Sequence, residues 1–308
     1  MSAEVGIPAE AGRRALLRWA GVDAERRRLV WSGGTTETIE AGEGRDALLV
    51  HGGLSDAGAW VPLLGHLEGI RAIAVDLPGH GLADPWDYGR EPIVETGVRF
   101  LGEVLDALGA ERLPIVASSM SALFAVHLAL RSPERVERLV VVGAPAGSSR
   151  HLPIIYRSLV WPIVGSVMRG RMAHADVDDA RWIHRHVLVA HPGHLGVTFL
   201  ASGAAMSRRN VASHATLAAS AFRPLGLAPS LVLDGRWRDL ETPVTFVWGE
   251  RDALDGPARG RDIAAGVADA SFVEIPDAGH LPWLDRPDEV AAIIVEALSV
   301  ASLAEAAG

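Results

Sequence analysis

Between the apolar run Pro114-Ile115-Val116 and an apolar helical stretch from Ser121 to Leu130 stand only small residues and one methionine: Ala117, Ser118, Ser119, Met120 and Ser121. A strand that turns into a helix over so few residues forces one of them into a strained conformation, with its side chain at the apex. The residues two before and two after it must be small, so that strand and helix can approach. Ser119 alone fits, between Ala117 and Ser121; Ser118 would have Val116 and Met120, and Ser121 would have Leu123. A serine hydroxyl is a weak nucleophile at neutral pH and needs a general base, usually a histidine oriented by a carboxylate. Two later loops supply both: Trp248-Gly249-Glu250-Arg251-Asp252, and Asp277-Ala278-Gly279-His280-Leu281-Pro282. Each follows an apolar run that reads as a strand, and in parallel sheets the carboxyl ends of strands gather the ligand site. Ser119, Asp252 and His280, in that order, could therefore carry out nucleophilic acyl transfer. Glu250 and Asp255 lie close to Asp252, so a cap or turn role competes there. The chain has 12 histidines, and a bare histidine means little; the glycine-containing loop after the last strand raises His280 above the others. The loop after the preceding strand, Gly143-Ala144-Pro145, has no carboxylate, which favours Asp252.

The elements that must position these residues alternate. Residues 8–20 read as a short amphipathic helix starting at Pro8. RRLVWSG and TTETIEAG read as an antiparallel hairpin split by Gly33-Gly34. The continuous apolar run 47–50 reads as a strand covered on both faces, 70–75 and 114–116 as further buried strands, and 138–142, 244–248 and 271–275 as strands. Helices are predicted over 57–67 (capped by Ser55 or Asp56, with Trp60, Leu63 and Leu64 inward), 92–109, 121–130 and 258–267. A closing helix is predicted with Asp285 as its cap and Pro287 in its first turn. From about 147 to 239 no strand ladder is evident and the pattern is helical. This alternation predicts an α/β fold, a mostly parallel doubly wound sheet with an inserted all-helical cap. The core would comprise 1–146 and 241–308, and the cap 147–240.

The totals exclude several classes of function. There are no cysteines, so disulfides and thiolate chemistry are ruled out. All 29 basic residues are arginine, which rules out a lysine Schiff base and a Walker-type phosphate loop. A net charge of −9 argues against nucleic acid or an anionic membrane as partner. No apolar run reaches the roughly 20 residues of a membrane span, and the N-terminus lacks the apolar core of a signal peptide, so a cytoplasmic location is expected. No G-x-G-x-x-G opens a helix after the first strand, which disfavours a nicotinamide enzyme. His184, His186, His191 and His194 sit close together, but Pro192 and Gly193 interrupt them and their spacing matches no metal-ligand motif. No metal and no cofactor are expected. The partner is a small-molecule substrate, and a homodimer stays open.

Five pieces taken together, HGG at 51–53, DLPGHG at 76–81, ASSMS at 117–121, WGERD at 248–252 and AGHLPWLDRPDEV at 278–290, resemble the α/β-hydrolases that carry a helical cap. The resemblance runs from about Val30 to the C-terminus and is weakest in the cap. It implies Ser119 as nucleophile, His280 as base and Asp252 as its orienter. It also implies an oxyanion hole from the backbone N–H groups of Gly53 and Met120. His51, Asp76 and His80 read as organisers of their loops. The chain departs from the family in having Ala117 and Ser121 where glycine is common. Leu54, Trp161, Trp182 and Leu281 are candidates to line the substrate pocket, and they favour an apolar substrate. The expected activity is hydrolysis of a carboxylic ester or lactone through an acyl-enzyme. The alternatives are a carbon–carbon bond hydrolase of aromatic ring cleavage, which keeps serine, aspartate, histidine and a cap, and a ligand-binding receptor with vestigial catalysis. Dehalogenases and epoxide hydrolases of this fold place an aspartate at the elbow, so serine disfavours both. A cofactor-free haloperoxidase-like activity is a weaker option.

Overall fold

The computed structural model describes residues 6–306; the N-terminal stretch read above against a signal peptide begins with residues 1–5, outside them. Strands β1 (Ala24–Trp31) and β2 (Gly34–Ala41) form the antiparallel hairpin. Trp31 pairs directly with Gly34, so the turn falls on Ser32-Gly33, one residue earlier than the glycine pair suggests. Then come β3 (Arg45–Val50), β4 (Ile70–Val75), β5 (Leu113–Ser118) and β6 (Val136–Val142). A two-residue ladder of β7 (Phe222–Arg223) and β8 (Gly226–Leu227) stands apart, and β9 (Val244–Gly249) and β10 (Ala270–Ile275) complete the main sheet. Its order is β1-β2-β4-β3-β5-β6-β9-β10; β2 runs antiparallel to both its neighbours, and every pairing from β4 to β10 is parallel.

Side chains alternate across a strand, and here they feed two cores. Leu48, Val50, Ile115, Ala117, Leu139, Val141 and Phe246 face one side, under α3 (Ile93–Leu108) and α4 (Met120–Arg131). Ala47, Leu49, Val116, Val140, Val142 and Val247 face the other. There Leu16 of α1 (Ala9–Ala20), Leu63 of α2 (Val61–Leu64), and Val290 and Ile294 of the closing helix cover them. Burial on both faces explains why these strands read as unbroken apolar runs rather than as alternations.

Between β6 and β9 the chain leaves the sheet as α5 (Ile154–Ser158), α6 (Pro162–Met172), α7 (Val177–Ile183) and α8 (Val197–Ala221). The single apolar pattern from Leu152 to Met168 is two helices, because Pro162 has no N–H to continue α5 and instead opens α6 at its first position. Asp176 caps α7, accepting from the N–H groups of Asp178 and Asp179. Helix α8 has 25 residues, about 37 Å long. Its first half packs with Leu16 and Trp60 in one core, and Leu217 and Ala221 pack in the other. The insert is therefore helical apart from the short β7–β8 ladder.

After β9 come α9 (Pro257–Ala264), then β10, α10 (Pro282–Asp285) and α11 (Pro287–Ala306). Asp285 is the last residue of α10 and does not cap α11, a correction to the reading above. No helix of the described residues is long and apolar enough to cross a membrane.

Candidate active site

Ser119 stands alone between β5 and α4, at φ 55 and ψ −114. Among the described non-glycine residues only Leu54, Ser119, Asp234 and Asp277 have positive φ. Such a conformation costs on the order of 1–2 kcal/mol for a residue with a Cβ, so surrounding contacts must hold it. Ser121 supplies two of them. Its fully buried hydroxyl accepts the Ser118 N–H at 3.0 Å and donates to the Val50 carbonyl at 2.7 Å, tying the ends of β5 and β3 to the start of α4. A glycine at that position would allow the close approach but make neither bond.

His280 and Asp252 meet at the neighbouring strand ends. The Nδ1–H of His280 donates to both carboxylate oxygens of Asp252, at 2.9 and 3.0 Å, which leaves Nε2 as the unprotonated nitrogen of the neutral ring. Asp252 is 8% exposed and also accepts the N–H groups of Ala144 at 2.8 Å and Leu254 at 2.9 Å. The loop Gly143-Ala144-Pro145 thus supports the acid of the next strand. A Cβ on Gly143, at φ 76, would fall 2.2 Å from the His280 carbonyl oxygen, so only glycine lets the two loops touch.

The loop before α2 and the loop after β4 are built around buried polar groups. His51 donates from Nδ1 to the Gly52 carbonyl and accepts the Leu77 N–H on Nε2, at 2.7 and 2.9 Å. His80 donates from Nδ1 to the Pro78 carbonyl and accepts the Leu54 N–H on Nε2, at 2.9 and 3.2 Å. Burial pushes both imidazoles down, His51 to about 4 and His80 to about 3, so each stays neutral in the tautomer these bonds require. Asp76 accepts from the N–H groups of Ala57 and Leu82 at 2.7 and 2.8 Å and from the Arg13 guanidinium at 3.1 Å. With the Leu54 N–H committed to His80, Gly53 lies beside the helix start: a Cβ on it would sit 3.4 Å from the Met120 Cβ. Met120 is the first residue of α4, where an N–H has no intrahelical acceptor.

Ser119, His280, Gly53, Leu54, Trp182 and Leu281 all line one cavity of about 460 Å³, roofed by α5 to α8. Trp161, by contrast, precedes α6 and is not among the lining residues, whereas Tyr156 and Leu159 of the same segment are. Trp182 is 47% exposed and stacks on His186 with ring centroids 4.6 Å apart. The four clustered histidines are engaged separately. His184 and His186 bond to the carbonyls one turn back, His191 Nε2 lies 2.5 Å from Asp277, and His194 bonds to the Leu284 carbonyl.

Three residues in or around the site make contacts that sequence reasoning missed. Asp285 accepts the N–H of Gly279 at 2.8 Å and those of Ala190 and His191 at 2.9 Å, fastening the His280 loop to the insert. The Leu281 N–H donates to the Leu188 carbonyl at 2.8 Å beside it, and a Cβ on Gly279 would come within 2.7 Å of the Val189 Cα. Arg13 of α1 is wholly buried and binds Asp76, Asp56 and Glu37. His214 of α8 lines the cavity, 3% exposed. The WLDRP sequence held the only available hint, for Asp285; the other two lie in helices whose periodicity says nothing of a partner.

Comparison with known proteins agrees with this architecture. Residues 47–293 match the model of the alpha/beta hydrolase family. A pimeloyl-[acyl-carrier protein] methyl ester esterase of Aromatoleum aromaticum is 28% identical over 270 residues, covering 81% of this chain and 96% of that protein. A 2-hydroxy-6-oxononadienedioate/2-hydroxy-6-oxononatrienedioate hydrolase of Pseudomonas putida is 26% identical over 265 residues, covering 78% and 83%. The crystal structure of a Bacillus subtilis carboxylesterase superposes with a TM-score of 0.73 at 19% identity, covering 94% of this chain and 96% of that one.

Proposed function

From the premise that this chain belongs to the alpha/beta hydrolase family, we propose that it is a serine hydrolase. Its substrate is a carboxylic ester or lactone of a mainly apolar small molecule. The observation that carries this is the His280–Asp252 pair: an imidazole held by Nδ1 against a buried carboxylate, on the wall of the cavity that Ser119 also lines. Ser119 Oγ attacks the carbonyl carbon while its proton passes to His280 Nε2. Asp252 stabilises the imidazolium. The N–H groups of Gly53 and Met120 receive the negative charge that develops on the carbonyl oxygen; a donor of this kind contributes about 100- to 1,000-fold in rate. Collapse of the tetrahedral intermediate expels the alcohol, which takes the proton from His280. Water, activated by the same imidazole, then releases the acid and restores Ser119. The lining of Leu54, Leu159, Phe199 and Leu281 supports an apolar acyl group, and the volume is that of a small-molecule site.

A fluorophosphonate probe is expected to modify Ser119 alone, as read by peptide mapping. Ser119→Ala should lose at least about 10⁴-fold in kcat on p-nitrophenyl butyrate with an unchanged circular dichroism spectrum. Retained turnover would refute the reading. Carbon–carbon bond hydrolysis is the second reading, favoured by the similarity to the Pseudomonas putida hydrolase. Cleavage of a ring-fission dienone faster than simple esters would establish it instead.

A further inference from the structure

Helix α8 places an imidazole in the cavity that acyl transfer does not use. His214 is 3% exposed, lines the cavity, and neither of its ring nitrogens has a hydrogen-bond partner within the protein. A buried polar group without a partner is destabilising, and a site that carries one is complementary to a ligand that supplies the missing partner. The position is also adjacent to the reacting centre. The His214 ring lies 4.7 Å from that of His80, whose Nε2 holds the Leu54 N–H, and a Cβ on Gly53 would sit 3.4 Å from the side chain of Leu217, one turn on from His214. On the same helix the buried Ser202 hydroxyl lines the cavity and is also unpartnered.

We propose that His214 is the specificity-determining residue of this cavity, and that it hydrogen-bonds a hydroxyl group carried on an otherwise apolar acyl chain. Burial holds its imidazole neutral, well below the usual range, with His80 and His51 beside it reinforcing the effect. A neutral imidazole offers an N–H or a lone pair according to tautomer, and a hydroxyl answers either, whereas a carbonyl answers only the N–H. A carboxylate would enter an apolar wall without a buried cation: Arg171, at the rim, is largely exposed and paired with Asp179. The ligand class is thus a hydroxylated ester or lactone. The proposal rests on the acyl-transfer reading for the position of the carbonyl, but binding of the hydroxyl is measured separately.

The test is calorimetric titration of the Ser119→Ala protein with methyl hexanoate and with the three isomeric methyl hydroxyhexanoates that carry a hydroxyl on the second, third or sixth carbon. At least one isomer is expected to bind about tenfold more tightly than the parent, the size of one well-made neutral hydrogen bond. In Ser119→Ala/His214→Phe that advantage disappears, and in Ser119→Ala/His214→Gln, which keeps a donor and an acceptor, it survives in part. If no isomer exceeds the parent, if none binds, or if the advantage persists in the phenylalanine variant, the proposal fails. Should the phenylalanine variant not fold, the isomer comparison and the glutamine variant still decide. Wild-type turnover of the same esters is a separate reading: its absence refutes the hydrolase and leaves the binding result standing.

Discussion

At the scale of the residue, two neighbouring serines make opposite demands. Ser121 spends its hydroxyl on the Ser118 N–H and the Val50 carbonyl, while the buried Ser118 hydroxyl has no partner. Ser121→Ala is therefore expected to lose about 1–2 kcal/mol, seen as a lower urea midpoint at unchanged slope. Ser118→Ala should be neutral or slightly stabilising in the same measurement. Equal losses would mean that the hydroxyl bonds do not hold the turn. The elbow itself is legible in the sequence, because strand, small residues and helix are all local. What Ser121 does there is not, since Val50 lies 71 positions away. His214 was illegible for a similar reason: a polar residue on an apolar helical face looks the same whether it is satisfied or not.

At the scale of the element, the N-terminal helix is more than an amphipathic cover. Arg13 joins α1 to Glu37 on β2, to Asp56 before α2 and to Asp76 after β4. Burial alone would lower its affinity for a proton, but the three carboxylates outweigh burial and raise it. Burial likewise opposes ionisation of Asp76, yet Arg13, His51 and two backbone N–H groups bring it below the usual carboxylate range. Asp56 goes up, because burial and Asp76 together exceed what Arg13 returns. Glu37 is also held by Arg26 at 2.6 Å, but removing Arg13 strands the buried charge of Asp76, so Arg13→Met should cost about 3–5 kcal/mol in urea unfolding. A loss below about 1 kcal/mol would show that the carboxylates relax by protonation or by admitting water. Helix α1 and the succession of strands along the chain follow from sequence pattern alone, one from its amphipathic period and the others from short apolar runs. The ion cluster does not, because no spacing rule connects residues 13, 37, 56 and 76. The single pattern split by Pro162 into α5 and α6 marks the same boundary: periodicity finds helices, and long-range contacts assign their tasks.

At the scale of the whole molecule, the buried imidazoles give stability a direction in pH. His51 is held at about 4 and His80 at about 3, and His214 is also depressed, against an ordinary value of 6.5. Below 6.5 the unfolded chain takes up protons that the folded chain refuses, so stability is complete above that point. It falls as pH drops from 6.5 toward 4. Each of these histidines adds up to about 1.4 kcal/mol per pH unit within that window. Urea midpoints at pH 7.5 and pH 5 should separate accordingly, and coincident midpoints would show that the rings gain access to solvent or partners on protonation. The insert adds a consequence of another kind. Asp285 holds the peptide ahead of His280 with one oxygen and the backbone at 190 and 191 with both. Any movement that lifts this end of the roof must pull on the loop that keeps His280 against Asp252. The carboxylate is thus a tie between roof and loop, shared by three N–H groups, and the two segments cannot part at this point unless its bonds to one of them break.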